Sequence, residues 1–65
     1  MSEQQAAGQL WRRPMVEIQT GLSRAEIYRR MQLGTFPKPV KIGVRIVAWE
    51  SLSVQAWMKS LPSQG

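Results

Sequence analysis

Six residues in the stretch Leu22 to Pro37, LSRAEIYRRMQLGTFP, carry most of the chemistry available to this chain: Ser23, Arg24, Ala25, Tyr28, Arg29 and Arg30. Guanidinium groups pair with guanine edges or phosphates, hydroxyls donate to phosphate oxygens, and a small alanine permits close approach. At about 100° per residue, Ile27 and Met31 share one helical face, Ala25, Arg29 and Gln32 fall on the opposite one, and Arg24 and Tyr28 lie on the flanks. Arg30 falls at the margin between the two faces, where its stem packs and its guanidinium reaches solvent or phosphate. A helix of this kind suits the major groove of double-stranded DNA. The same pattern also describes a solvated, basic amphipathic helix.

The rest of the inventory excludes most other chemistry. There are no cysteines and no histidines, and all four acidic residues are glutamates: Glu3, Glu17, Glu26 and Glu50. Serine nucleophiles need a base, hydrolytic carboxylates need a partner, and structural zinc needs Cys or His. No enzyme, metal site or cofactor is therefore expected. A formal charge of +5 and a pI near 10.9 favour a polyanionic partner, because neutralised phosphates release counterions. Sixty-five residues, 43% hydrophobic with three tryptophans, make one small domain. No apolar run approaches the roughly 20 residues that cross a bilayer, and the N-terminus lacks the order of a signal peptide, so a cytosolic protein without membrane partners is expected.

The elements that must position those six residues follow from local signals. Ser23 and Glu26 are spaced as a capping box, and Gly34 closes the helix where a residue tolerant of positive φ is needed. Upstream, Arg12 and Arg13 precede Pro14, which favours a first helical turn. Met15, Val16 and Ile18 supply apolar surface before Thr20-Gly21 ends this first helix. Arg12 and Arg13 read as a solvated pair, with phosphate contact as the alternative. Helix, Gly21 turn and second helix make a helix-turn-helix.

Thr35-Phe36-Pro37-Lys38-Pro39 forbids helix, with Phe36 as a core plug. Val40, Ile42, Val44, Ile46 and Ala48 alternate with Lys41, Gly43, Arg45, Val47 and Trp49, a strand period. The expected hairpin pairs Val40–Ile42 with Ile46–Ala48 around a tip at Gly43, Val44 and Arg45. It forms a wing whose Lys38, Lys41 and Arg45 meet DNA phosphates or a minor groove, or else guard an exposed edge. Glu50 and Ser51 are placed to cap a last helix, with Val54, Trp57, Met58 and Leu61 as its buried stripe and Trp49 and Trp57 as core. The expected fold is mainly α with a small β-hairpin: three short helices and a two-stranded wing at residues 10–61, a loose arm at 1–9 and a frayed end at 62–65.

Gly21-Leu22-Ser23-Arg24, Ile27-Tyr28-Arg29, Gly34, the run Phe36 to Gly43, Trp49, and then Val54, Ala56 and Trp57 together resemble the AlpA family of prophage-encoded regulators. The resemblance covers roughly Leu10 to Leu61. It implies a winged helix-turn-helix related to excisionase and MerR-type folds, and a transcriptional regulator that binds DNA near phage or integrative-element genes. Ser23, Arg24, Tyr28 and Arg29 would then lie on the DNA face, and Lys38, Lys41 and Arg45 on the wing. The chain departs from the family in two places: Arg30 stands where an apolar residue is usual, and the stretch Val44-Arg45-Ile46-Val47 is more apolar than its arginine-rich hairpin. An excisionase-type architectural protein, bound in cooperative copies and recruiting a recombinase, would use the same contacts. An anti-repressor or other protein-interaction module would instead turn the basic surface to an acidic protein.

Overall fold

Two glycines set the helix ends on which the arrangement depends. The computed structural model of the chain describes residues 8–62. Its first helix, α1 (Arg13–Thr20), starts behind an extended Arg12 with Pro14 in the first turn, where a missing N–H has no helical partner to lose. It stops at Gly21, φ 78°, whose N–H donates to the Glu17 carbonyl at 2.8 Å. Leu22 and Ser23 complete the turn into α2 (Arg24–Gln32). At the far end of α2, Gly34 (φ 77°) donates to Met31 and Thr35 donates to Arg30, at 3.1 and 2.9 Å. These are the paired bonds of a Schellman closure, which a left-handed glycine allows at low steric cost.

The capping box at the start of α2 forms by half. Ser23 Oγ accepts from the Glu26 N–H at 3.2 Å. The Glu26 carboxylate, however, turns to Arg29 and Arg30 on its own helix rather than back to the Ser23 N–H. Charge-assisted partners are the stronger ones and lie within its reach.

The hairpin joins β2 (Val40–Lys41) to β3 (Val47–Glu50), with Val40 opposite Ala48 and Lys41 opposite Val47. Both the Ile42 and Gly43 N–H groups donate to the Ile46 carbonyl, so the tip lies at residues 43 to 45. The sheet also has a third strand, β1 (Leu10–Trp11), on the other edge of β3, with Leu10 opposite Glu50 and Trp11 opposite Trp49. Two residues are too few to show a strand period, so only the fold reveals β1. β3 is thereby the central strand, and its Trp49 is completely buried.

The last helix, α3 (Ser51–Lys59), follows β3 directly. Glu50 holds the N-cap position, but its carboxylate meets the Ser53 hydroxyl at 3.4 Å and caps no backbone N–H. Buried Ser51 serves the sheet edge instead of the helix: its Oγ accepts from the Gln9 N–H at 2.8 Å, and its own N–H donates to the Gln9 carbonyl at 2.7 Å.

Val16, Ile27, Phe36, Trp49 and Val54 form the core, with Trp11, Leu22, Met31, Val47, Trp57 and Met58 packed around it. Trp49, on β3, lies in the core as expected, Trp57, on α3, packs half-buried against it, and both pin the connector between α2 and the wing. Trp49 Nε1 donates to the Pro37 carbonyl at 3.0 Å and Trp57 Nε1 to the Thr35 carbonyl at 2.7 Å. The Phe36 ring meets Trp57 edge-on with centroids 4.8 Å apart. One residue of the expected buried stripe lies outside: Leu61, beyond the end of α3, is 46% exposed. Of the apolar residues expected to supply surface on α1, only Val16 is buried, Met15 and Ile18 being exposed. Among the described residues no helix is long and apolar enough to cross a membrane. Of the loose arm expected over residues 1–9, residues 1–7 lie outside the described residues, and Gln9 is tied to Ser51 rather than loose; of the frayed end expected over 62–65, residues 63–65 lie outside them.

Candidate nucleic-acid interface

α2 is held from behind by fully buried Ile27, and this decides what it presents outward. Ser23, Arg24, Ala25, Tyr28 and Arg29 are all exposed. Arg24 lies over the Tyr28 ring, 5.7 Å from its centroid, so the two form one stacked unit. Arg29 grips Glu26 with two bonds, Nη2 to Oε2 at 3.0 Å and Nε to Oε1 at 3.3 Å. That fork holds the Glu26 carboxyl below its ordinary value, with the charges of Arg29 and Arg30 adding to it and desolvation opposing, and Glu26 in turn raises Arg29.

Arg30 is only half-buried and occupies the margin its helical angle dictates. Its Nε lies 2.8 Å from Glu26 Oε2 but out of line for a hydrogen bond, so the attraction is Coulombic and the N–H is left without an acceptor. Its guanidinium sits 6.0 Å from the Trp57 ring centroid. The arginine thus bridges the surface carboxylate to the aromatic edge of the core, where a stem can pack and a head stay wet.

The wing differs. Lys38, Lys41 and Arg45 are exposed, and no described carboxylate forms an ion pair with any of them. Val44 at the tip is 87% exposed, flanked by partly covered Ile42 and Ile46. The strand period in this segment thus marks a ribbon whose tip is apolar on the outside, while Val47 and Trp49 on β3 turn to the core.

Between α2 and the wing the fold opens a cleft of about 290 Å³ lined by Arg12, Arg13, Pro14, Tyr28, Arg45 and Val47. Arg13 is tied to Glu17 by Nε to Oε2 at 2.8 Å; this bond, and to a lesser degree the neighbouring Tyr28, raises the Arg13 guanidinium above its ordinary value. The sequence places Arg12 and Arg13 as a solvated pair ahead of a helix. Pro14, which fixes them at the first turn, was the available signal that they share a position, but only the fold brings Arg45 and Tyr28 to it.

The model of a family described as prophage CP4-57 regulatory protein (AlpA) matches residues 9–61 of the chain. The uncharacterized protein ORF88 of Enterobacteria phage P4 is 45% identical over 45 residues, which cover 69% of this chain and 51% of that protein. The chain therefore spans about half the length of the curated relative it matches.

Proposed function

The chain belongs to the AlpA family of prophage regulatory proteins, and from that premise we propose that it is a sequence-specific DNA-binding regulator of transcription in a phage or integrative element. α2 enters the major groove and the β2–β3 hairpin rests on the backbone or in the adjoining minor groove. One observation carries this reading: Ser23, Arg24, Ala25, Tyr28 and Arg29 are exposed together on a helix anchored by buried Ile27, with the cationic wing joined to it through the pinned Thr35–Pro37 connector. In this role Arg29 and Arg24 reach base edges, Tyr28 and the Ser23 hydroxyl donate to phosphates, Ala25 permits close approach, and Arg30 meets phosphate from the flank. Ser23 Oγ accepts the cap bond, and its proton stays free to be donated. Lys38, Lys41 and Arg45 neutralise phosphates.

Selection of bound fragments from randomised and host DNA, followed by a salt series on the winning duplex, tests the reading. A defined motif and an affinity that falls steeply with salt are expected, since each neutralised phosphate contributes a slope of about 0.9 in log–log form. Binding that ignores both sequence and salt would contradict it.

A second reading, the excisionase-type architectural protein, draws on the apolar wing tip. Val44, Ile42 and Ile46 present to solvent a surface that a second copy on adjacent DNA, or a recombinase, would cover. Cooperative occupancy of directly repeated sites, lost in Val44→Lys while single-site affinity persists, would favour it over a solitary promoter switch.

A further inference from the structure

The cleft between α1, α2 and the wing gathers polar groups from three separate elements, two of which bring positive charge. Arg12 and Arg13 come from the start of α1, Tyr28 from α2 and Arg45 from the wing tip. No carboxylate lines the cleft, and Glu17, which reaches Arg13 from along α1, is the one described acid paired with any of its three arginines. Like charges held together on a folded surface repel, and an anion seated among them removes that repulsion. Pro14 and Val47 form apolar sides to the cleft, which strengthens the interaction with any charge placed there. The N-terminus of α1 points the same way, since its first turn contains no acidic residue and Arg12 supplies no side-chain cap.

We propose that this cleft seats a single phosphate of the DNA backbone, gripped by Arg12, Arg13 and Arg45 with the Tyr28 hydroxyl as a further donor. The proposal rests on the DNA-binding reading and adds to it a site that joins the reading helix to the wing. If α2 lies in the major groove and the hairpin on the adjoining backbone, the strand running between them passes this cleft. One phosphate held from both sides fixes the angle between helix and wing on the duplex. Arg45 then acts as the second jaw of a clamp, and the α1 arginines, holding phosphate rather than a base, set register.

A clamp on one phosphate makes a prediction that scattered phosphate contacts do not. Arg12→Gln, Arg13→Gln, Arg45→Gln and the triple variant of the full chain are compared on the selected duplex across a salt series, with folding checked by near-ultraviolet tryptophan signal. Removing all three charges is expected to lower the salt slope by about one, and each single change by less, because the remaining arginines keep the one phosphate neutralised. Lys59→Gln, which removes a charge outside the cleft, is expected to leave the slope unchanged. Replacing backbone phosphates singly by neutral methylphosphonate is expected to reveal one position that weakens the parent but not the triple variant. A triple variant whose slope falls by about three or not at all, or a Lys59→Gln effect equal to that of the triple variant, overturns the clamp while leaving DNA binding in place. A parent chain with no salt-dependent affinity for any duplex overturns both.

Discussion

On α2, Arg29 and Arg30 share one carboxylate, Glu26; on the wing, Lys38, Lys41 and Arg45 have none among the described residues. The two regions bring the same sign of charge to the proposed interface in different states. An arginine already forked onto Glu26 is oriented and partly neutralised, so its approach to DNA exchanges one acceptor for another and releases few ions. An unpaired lysine on a short ribbon is loosely oriented, and its gain on meeting a phosphate is mostly counterion release. Under the proposed function the helix thus supplies direction and the wing attraction. Arg24, stacked on Tyr28 without an acid, stands between the two.

The largest effects should come from removing what both regions rest on. Trp49→Ala and Phe36→Ala are each expected to lower stability by about 3 to 5 kcal/mol, enough to unfold so small a domain, as read by thermal or urea denaturation. Trp57→Ala should cost less, because its ring is only half-buried, although the lost bond to the Thr35 carbonyl frees the connector. A Trp49→Ala protein with an unchanged melting temperature would mean that helix and wing do not share a foundation. Next in size is Lys41→Ala, which should weaken preferred and scrambled duplexes alike and lower the salt slope by about one without changing their ratio. If it instead altered the ratio, the wing would be reading sequence and the contrast with α2 would fail.

The smallest effect concerns Glu26. Its carboxyl is held below its ordinary value of 4.5 by the Arg29 fork, so its contribution to stability is fully present above that value and is lost as the pH falls through the lowered one. The melting temperature of the parent should therefore fall further than that of Glu26→Gln on acidification from about pH 6 to about pH 3. Equal losses would show that the fork is not maintained in solution.

What the sequence made legible, and what it did not, divides along the same line. Ser23, Gly21 and Gly34 mark the helix ends because capping and left-handed turns depend on residue type alone, and Ile27 follows from a period of 3.6. The wing and its tip follow from a period of two around Gly43. Contacts between distant segments left no such mark. β1 is two residues long, Ser51 exchanges its cap for a bond to Gln9, and Glu26 chooses between a backbone N–H and two arginines by energy rather than spacing. The cleft is the extreme case, since Arg13 and Arg45 line it together only because α1 and β3 pack on the same core. Met15 and Ile18 show the converse: apolar residues on α1 that stay exposed among the described residues.

The central claim is that α2 reads DNA, and Arg29→Ala tests it most directly. Binding isotherms on the selected and a scrambled duplex, at two salt concentrations and with folding verified, should show roughly a 5- to 150-fold loss on the selected duplex, relaxed preference at one base position and a nearly unchanged salt slope. If Arg29→Ala binds both duplexes as the parent does, α2 is not the reading element, and its exposed arginines serve a protein partner instead.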